Sequence, residues 1–156
     1  MLLTNGRASG CPAANGKRRG AAAVEFAVVA PIFFLFIIGI LEFGRLMMVL
    51  GVVTNASRSG ARAGAVTVGD YDSIISAVNS TVTRGGVSLG SETPIVKVNG
   101  TVVTNNTSFK SAIYPGVTIE VQVNAPYSAN KWLPGTSWFI GSSAKLSETA
   151  VMRREG

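Results

Sequence analysis

The chain has 156 residues, enough for one small domain around a modest core, with 14 Lys and Arg against 8 Asp and Glu. Histidine is absent and Cys11 is the only cysteine, which excludes Ser-His-Asp and Cys-His catalytic groups, histidine-based metal sites and intramolecular disulfides. The basic excess is local. Arg7, Lys17, Arg18 and Arg19 fall in the first twenty residues, which hold no acid, and without them the balance is ten to eight. The remaining cations are scattered singly, so no basic stripe argues for nucleic-acid binding.

Residues 1–20 are rich in Gly, Ala, Ser, Asn and basic side chains and lack apolar periodicity, which reads as an unstructured leader. Cys11 follows no apolar stretch of the kind a lipoprotein signal requires, and reads as an incidental thiol. Phe26 to Leu41 then gives sixteen residues without a charge. With Ala21 to Val24 they supply the roughly twenty residues that a bilayer-spanning helix needs. A cleavable secretory signal has a shorter apolar core, ~7–15 residues, and ends in a small-x-small site. Here Glu42-Phe43-Gly44-Arg45 follows instead, so a span over about 21–45 is expected. Pro31 removes one helical donor and predicts a kink, which spanning helices tolerate.

Glu25 stands alone as a charge in the first turns of this segment. A carboxylate at a bilayer centre costs ~2.5–3.5 kcal/mol on insertion scales, and less near an interface. It either marks a solvated headgroup boundary or awaits a positive partner. A cut after Gly20 would create such a partner, an amine on Ala21 one helical turn away. The run Lys17-Arg18-Arg19 beside the span favours a cytoplasmic amino terminus and membrane lipid contact there.

The helical pattern continues to Val66, making a long helix over 21–66 of roughly 70 Å at 1.5 Å per residue. Small residues form rows at four-residue steps, Ala56, Gly60 and Gly64, with Ser57, Ala61 and Ala65 beside them. Such rows let another backbone approach closely, whether the protein's own sheet or a neighbouring subunit. Arg58 and Arg62 are expected to face solvent. Residues 67–156 then read as an extracytoplasmic α+β head. Asp70 is an N-cap, and Ile74, Ile75, Val78 and Val82 keep helical spacing as far as the turn Gly85-Gly86. Asp72 is a first-turn dipole partner rather than a metal ligand. The period then becomes two. Ile95 to Val98, Asn99-Gly100 and Thr101 to Thr104 carry the signal of a tight hairpin. Val117 to Val123 alternates as a half-buried strand, and Ala144 to Arg153 as a final one. Trp132, Pro134-Gly135 and Trp138-Phe139-Ile140 read as an aromatic lid on the core or, failing that, as a contact surface for a neighbouring subunit.

The order of these features resembles the type IV prepilin processing signature. More specifically, Arg19-Gly20-Ala21-Ala22-Ala23-Val24-Glu25-Phe26-Ala27, Pro31, Gly39-Ile40-Leu41-Glu42-Phe43-Gly44-Arg45 and Asn55 to Val66 resemble the TadE-like family of tight-adherence pilus proteins, and Ala150 to Glu155 is similar to its tail. The resemblance implies a pilin-like fold and cleavage between Gly20 and Ala21 by a membrane prepilin peptidase on the cytoplasmic face. It implies that Glu25 neutralises an amino terminus during assembly, and that Lys17, Arg18 and Arg19 retain the leader in the cytoplasm. The implied partners are other pilins and pseudopilins and an inner-membrane assembly platform, and the implied role is that of a minor pseudopilin acting in pilus assembly and adhesion.

No carboxylate cluster has acid–base spacing and no phosphate-cradling glycine loop follows a strand, so an enzyme, a metal or a cofactor is not expected. The reading from a different class is a signal-anchored extracytoplasmic binding module that never polymerises.

Overall fold

The computed structural model describes residues 16–66, 68–132, 141 and 143–154, the first four by their backbone alone. Two compact units divide the chain, Met1–Gly39 and Ile40–Gly156. The described elements are four helices and four strands: α1 (Gly16–Ala65), α2 (Tyr71–Arg84), β1 (Ile95–Val98), β2 (Thr101–Val103), α3 (Asn106–Ala112), β3 (Thr118–Pro126), α4 (Tyr127–Asn130) and β4 (Lys145–Arg153). This is an α+β, pilin-like layout: a long apolar amino-terminal helix, short helices and an antiparallel sheet.

In the first unit α1 begins at Gly16, so the last five residues of the expected unstructured leader are helical. The alanine run that follows favours helix, and Lys17, Arg18 and Arg19 propagate it at little cost. The rest of the leader, Cys11 included, lies outside the described residues. The helix passes through Pro31 without ending. Ile32, Phe33, Phe34, Leu35 and Phe36 are all more than half exposed, as suits a surface that meets lipid.

In the second unit the sheet order is β2-β1-β3-β4, antiparallel throughout. β1 and β2 meet through Asn99 and Gly100, at φ 48° and 80°, the two left-handed positions of a tight hairpin turn that Asn-Gly encodes. Along β3 every second residue is buried: Ile119, Val121, Val123 and Ala125. That alternation turns one sheet face to the core, where it meets Ile74, Val78 and Val82 of α2, Phe109 of α3, and Val49, Val53, Ala56 and Ala61 of α1.

The amino-terminal ends of α2 and α3 are capped by short polar side chains. Asp70 accepts from the Ser73 backbone N–H at 2.8 Å, and that bond, with the Ser73 hydroxyl, holds its carboxyl below the ordinary value of 3.8. Asn105 and Ser108 build the same reciprocal box for α3. The two boxes are linked, since the Tyr71 backbone N–H donates to Asn106 Oδ1 at 2.8 Å and Asn106 Nδ2 donates to Asp72. At the carboxyl end of α1, Arg154 donates to the Gly64 carbonyl at 3.2 Å, a cation on the negative end of the helix. Main-chain bonds between Arg154 and Val117 and between Gly116 and Arg154 hold the chain end there.

Candidate functional site

The segment expected from its sequence to carry a processing signature is helical, and its described side chains are uncovered. Gly20, Ala21 and Glu25 are exposed on α1, and a side chain at Gly20 would meet nothing within 4 Å. Ala21 and Glu25 stand four residues apart, about 6 Å along the axis, on one side of the helix. The Gly20–Ala21 bond therefore lies in an accessible first stretch of helix. Glycine costs such a helix ~1 kcal/mol relative to alanine, so Gly20 weakens the helix locally. The side chains of Lys17, Arg18 and Arg19 lie outside the described part of the structure.

The small-residue row behaves differently. Ala56, Gly60 and Gly64 are buried within the second unit. A Cβ on Gly60 would stand 2.6 Å from Val78 Cγ2 and 3.1 Å from Val121 Cγ1. One on Gly64 would stand 2.7 Å from Ile74 Cδ1. Of the two neighbours the row admits, the structure gives the protein's own α2 and β3. Gly85 repeats the device from the other side, with Val52 of α1 at 2.5 Å. Arg58 and Arg62 are exposed, as their place beside the rows requires.

Sequence reasoning missed a polar cluster where charge returns after the apolar run. Glu42 is 4% exposed. Its Oε1 accepts from the Tyr127 hydroxyl at 2.7 Å, and its Oε2 is buried with no hydrogen-bond partner among the described residues. One turn on, Arg45 Nε donates to the Asn130 carbonyl at 3.3 Å and its guanidinium donates to the Gly86 carbonyl at 3.1 Å. Asn130 itself makes three side-chain hydrogen bonds. Its Nδ2 donates to Ser88 O and Pro126 O, and its Oδ1 accepts from the Ser88 N–H. The cluster fastens α4 and the strand before it to one turn of α1. The sequence signal was faint: Glu42 and Arg45 only marked the close of a span, and Tyr127 and Asn130 each lie 85 residues from their partners.

Trp132 corrects the aromatic lid. It is 75% exposed, because the core is already closed by Tyr127 and Phe109, both fully buried. Pro134-Gly135 and Trp138-Phe139-Ile140 lie outside the described residues. Among the described residues no three Cys, His, Asp or Glu side chains gather as a metal site.

Residues 20–62 match the family model described as TadE-like protein, which identifies this part of the chain as TadE-like. The match opens on Gly20 and takes in Glu25, Glu42, Arg45 and Gly60. No curated protein and no solved structure matches the chain. α1 is also long and apolar enough to cross a membrane, which makes it a candidate anchor, and the family match associates the chain with Tad pilus components.

Proposed function

We propose that the protein is a minor pseudopilin of a tight-adherence (Flp-type) pilus or secretion system. Prepilin peptidase cuts it between Gly20 and Ala21 on the cytoplasmic face of the bacterial inner membrane. The mature chain then stays anchored by α1, with its head outside the cytoplasm, until the assembly platform moves it into a fibre beside other pilins. Its role is structural rather than enzymatic, and it serves pilus assembly and adhesion at the cell surface. The observation that carries this reading is the register of the TadE-like match, which starts on the glycine of the proposed scissile bond.

The chemistry of the segment supports the same sequence of events. Cleavage creates an amine on Ala21, and an amine in or near hydrocarbon is costly unless a carboxylate offsets it. Glu25 is exposed and one turn away, free to meet that amine or the amine of a neighbouring subunit.

Mass spectrometry of protein from cells with active prepilin peptidase should find an amino terminus at Ala21. An intact Met1 there would sink the pseudopilin reading in favour of a signal-anchored binding module. Glu25→Ala should leave cleavage largely intact and cut incorporation into pili. Normal piliation would reduce Glu25 to a boundary marker.

A further inference from the structure

The hairpin between β1 and β2 turns on Asn99-Gly100, the residue pair whose side-chain amide is most easily lost in an open chain. The glycine is the reason: without a Cβ its nitrogen is unhindered, and the chain bends freely enough to bring it onto the asparagine Cγ. In that reaction the Gly100 nitrogen attacks Asn99 Cγ, a C–N bond forms, and the bond from Cγ to Nδ2 breaks. The side-chain nitrogen leaves as ammonia, taking the proton from Gly100 N. Water then adds to either carbonyl of the cyclic imide and gives aspartate, or the isomer whose main chain runs through Cγ.

In the head, both polar atoms of that side chain are held. Asn99 Oδ1 accepts from the Thr118 backbone N–H at 3.2 Å, and Nδ2 donates to the Tyr114 hydroxyl. The Asn99 main-chain N–H donates to the Thr118 carbonyl at 2.9 Å. Thr118 opens β3 and Tyr114 lies between α3 and β3, so the anchors belong to a different part of the chain from the turn. Cγ sits between the two anchored atoms, and turning it onto Gly100 N requires both bonds to break. Burial plays no part in this, because Asn99 and Gly100 are exposed.

We propose that Asn99 is a latent site of hydrolytic self-modification, kept intact by Thr118 and Tyr114 while the hairpin is closed and converted when it opens. Refolding does not reverse the conversion. The isomer adds a methylene to the main chain of a tight turn, and the length of that turn sets the register that pairs Val98 with Thr101. The inference rests on the head alone and is independent of the pilus reading, so either can fail without the other.

The test incubates the full chain in detergent at mildly alkaline pH, with and without denaturing guanidinium, and maps its peptides by mass spectrometry with fragmentation. Asn99 should keep its amide in the folded protein over a period in which the denatured chain converts it. Equal rates in the two would overturn the proposal. Tyr114→Phe removes one anchor from an exposed position and should speed conversion in the folded protein by about two- to tenfold, the rate equivalent of one neutral hydrogen bond. Rates are read relative to Asn5-Gly6, the same pair in the leader. An unchanged rate at Asn99 would overturn the proposal. So would an acceleration shared equally by Asn79-Ser80 of α2, which marks opening of the whole head rather than of the hairpin.

Discussion

The two stretches of α1 use the same residue types for opposite purposes. From Gly20 to Gly39 no described residue of the helix is buried, and Gly20, Gly39 and Glu25 all stand open. Beyond Ile40 one face is closed by the head, and Gly60, Gly64 and Glu42 are packed against atoms from α2, β3 and α4. A glycine or a glutamate on this helix therefore has no fixed meaning. In the first stretch it leaves room for something outside the chain, and in the second it fits a place that the chain itself defines. Gly44 and Gly51 show that the division also runs around the helix. They belong to the second stretch but face outward, and a Cβ on either would meet nothing within 4 Å.

The largest expected effect comes from filling a closed position. Gly60→Leu forces a side chain where even a Cβ would lie 2.6 Å from Val78, and should destabilise the head by more than about 3 kcal/mol, the upper end of overpacking costs. Gly39→Leu, in the open stretch, should leave the unfolding midpoint in detergent unchanged. Equal effects of the two substitutions would erase the distinction. The glutamates come next. Tyr127→Phe removes the donor to a buried carboxylate, at an expected cost of about 1–3 kcal/mol in chemical denaturation. A negligible change would mean that Glu42 finds other solvation and that the cluster does not fasten α4.

What could be read from the sequence depended on the range of the interaction concerned. α2, the hairpin and β3 were legible because their apolar periods and the Asn-Gly turn are local signals. α3 was not, since its start is a polar box, Asn105 with Ser108, and it buries one anchor, Phe109. The closeness of the row Ala56, Gly60 and Gly64 to some backbone was legible, but not which backbone, because small residues admit either neighbour. The partner of Glu42 was illegible: nothing within a window around it indicates Tyr127. Trp132 misled for a related reason. A large aromatic suggests a core, and only the closure of that core by other residues shows that this one lies outside. In the candidate site, the spacing of Gly20, Ala21 and Glu25 is a pattern in the sequence, and the structure adds that all three are exposed on one helix.

The smallest effect concerns the outward glycines, and it bears most directly on why they are there. Gly51 is exposed in the interior of α1, about 15 Å of helix beyond Leu41 and clear of the span. Alanine in its place meets no atom and restricts the unfolded chain, so Gly51→Ala should stabilise the head by roughly 0.5–1 kcal/mol, seen as a raised denaturation midpoint. The gain should appear in the isolated protein because neither α2 nor the sheet is near that face. A loss of stability would mean that the outer face is closed by the chain after all, and the contrast with Gly60 would fail. With the gain in hand, a glycine that costs folding energy and whose added Cβ would meet no described atom within 4 Å is not explained by folding. Comparing piliation by Gly51→Ala with that by the parent then separates a tolerated accident, which leaves fibres unchanged, from a surface kept bare for a neighbour, which does not.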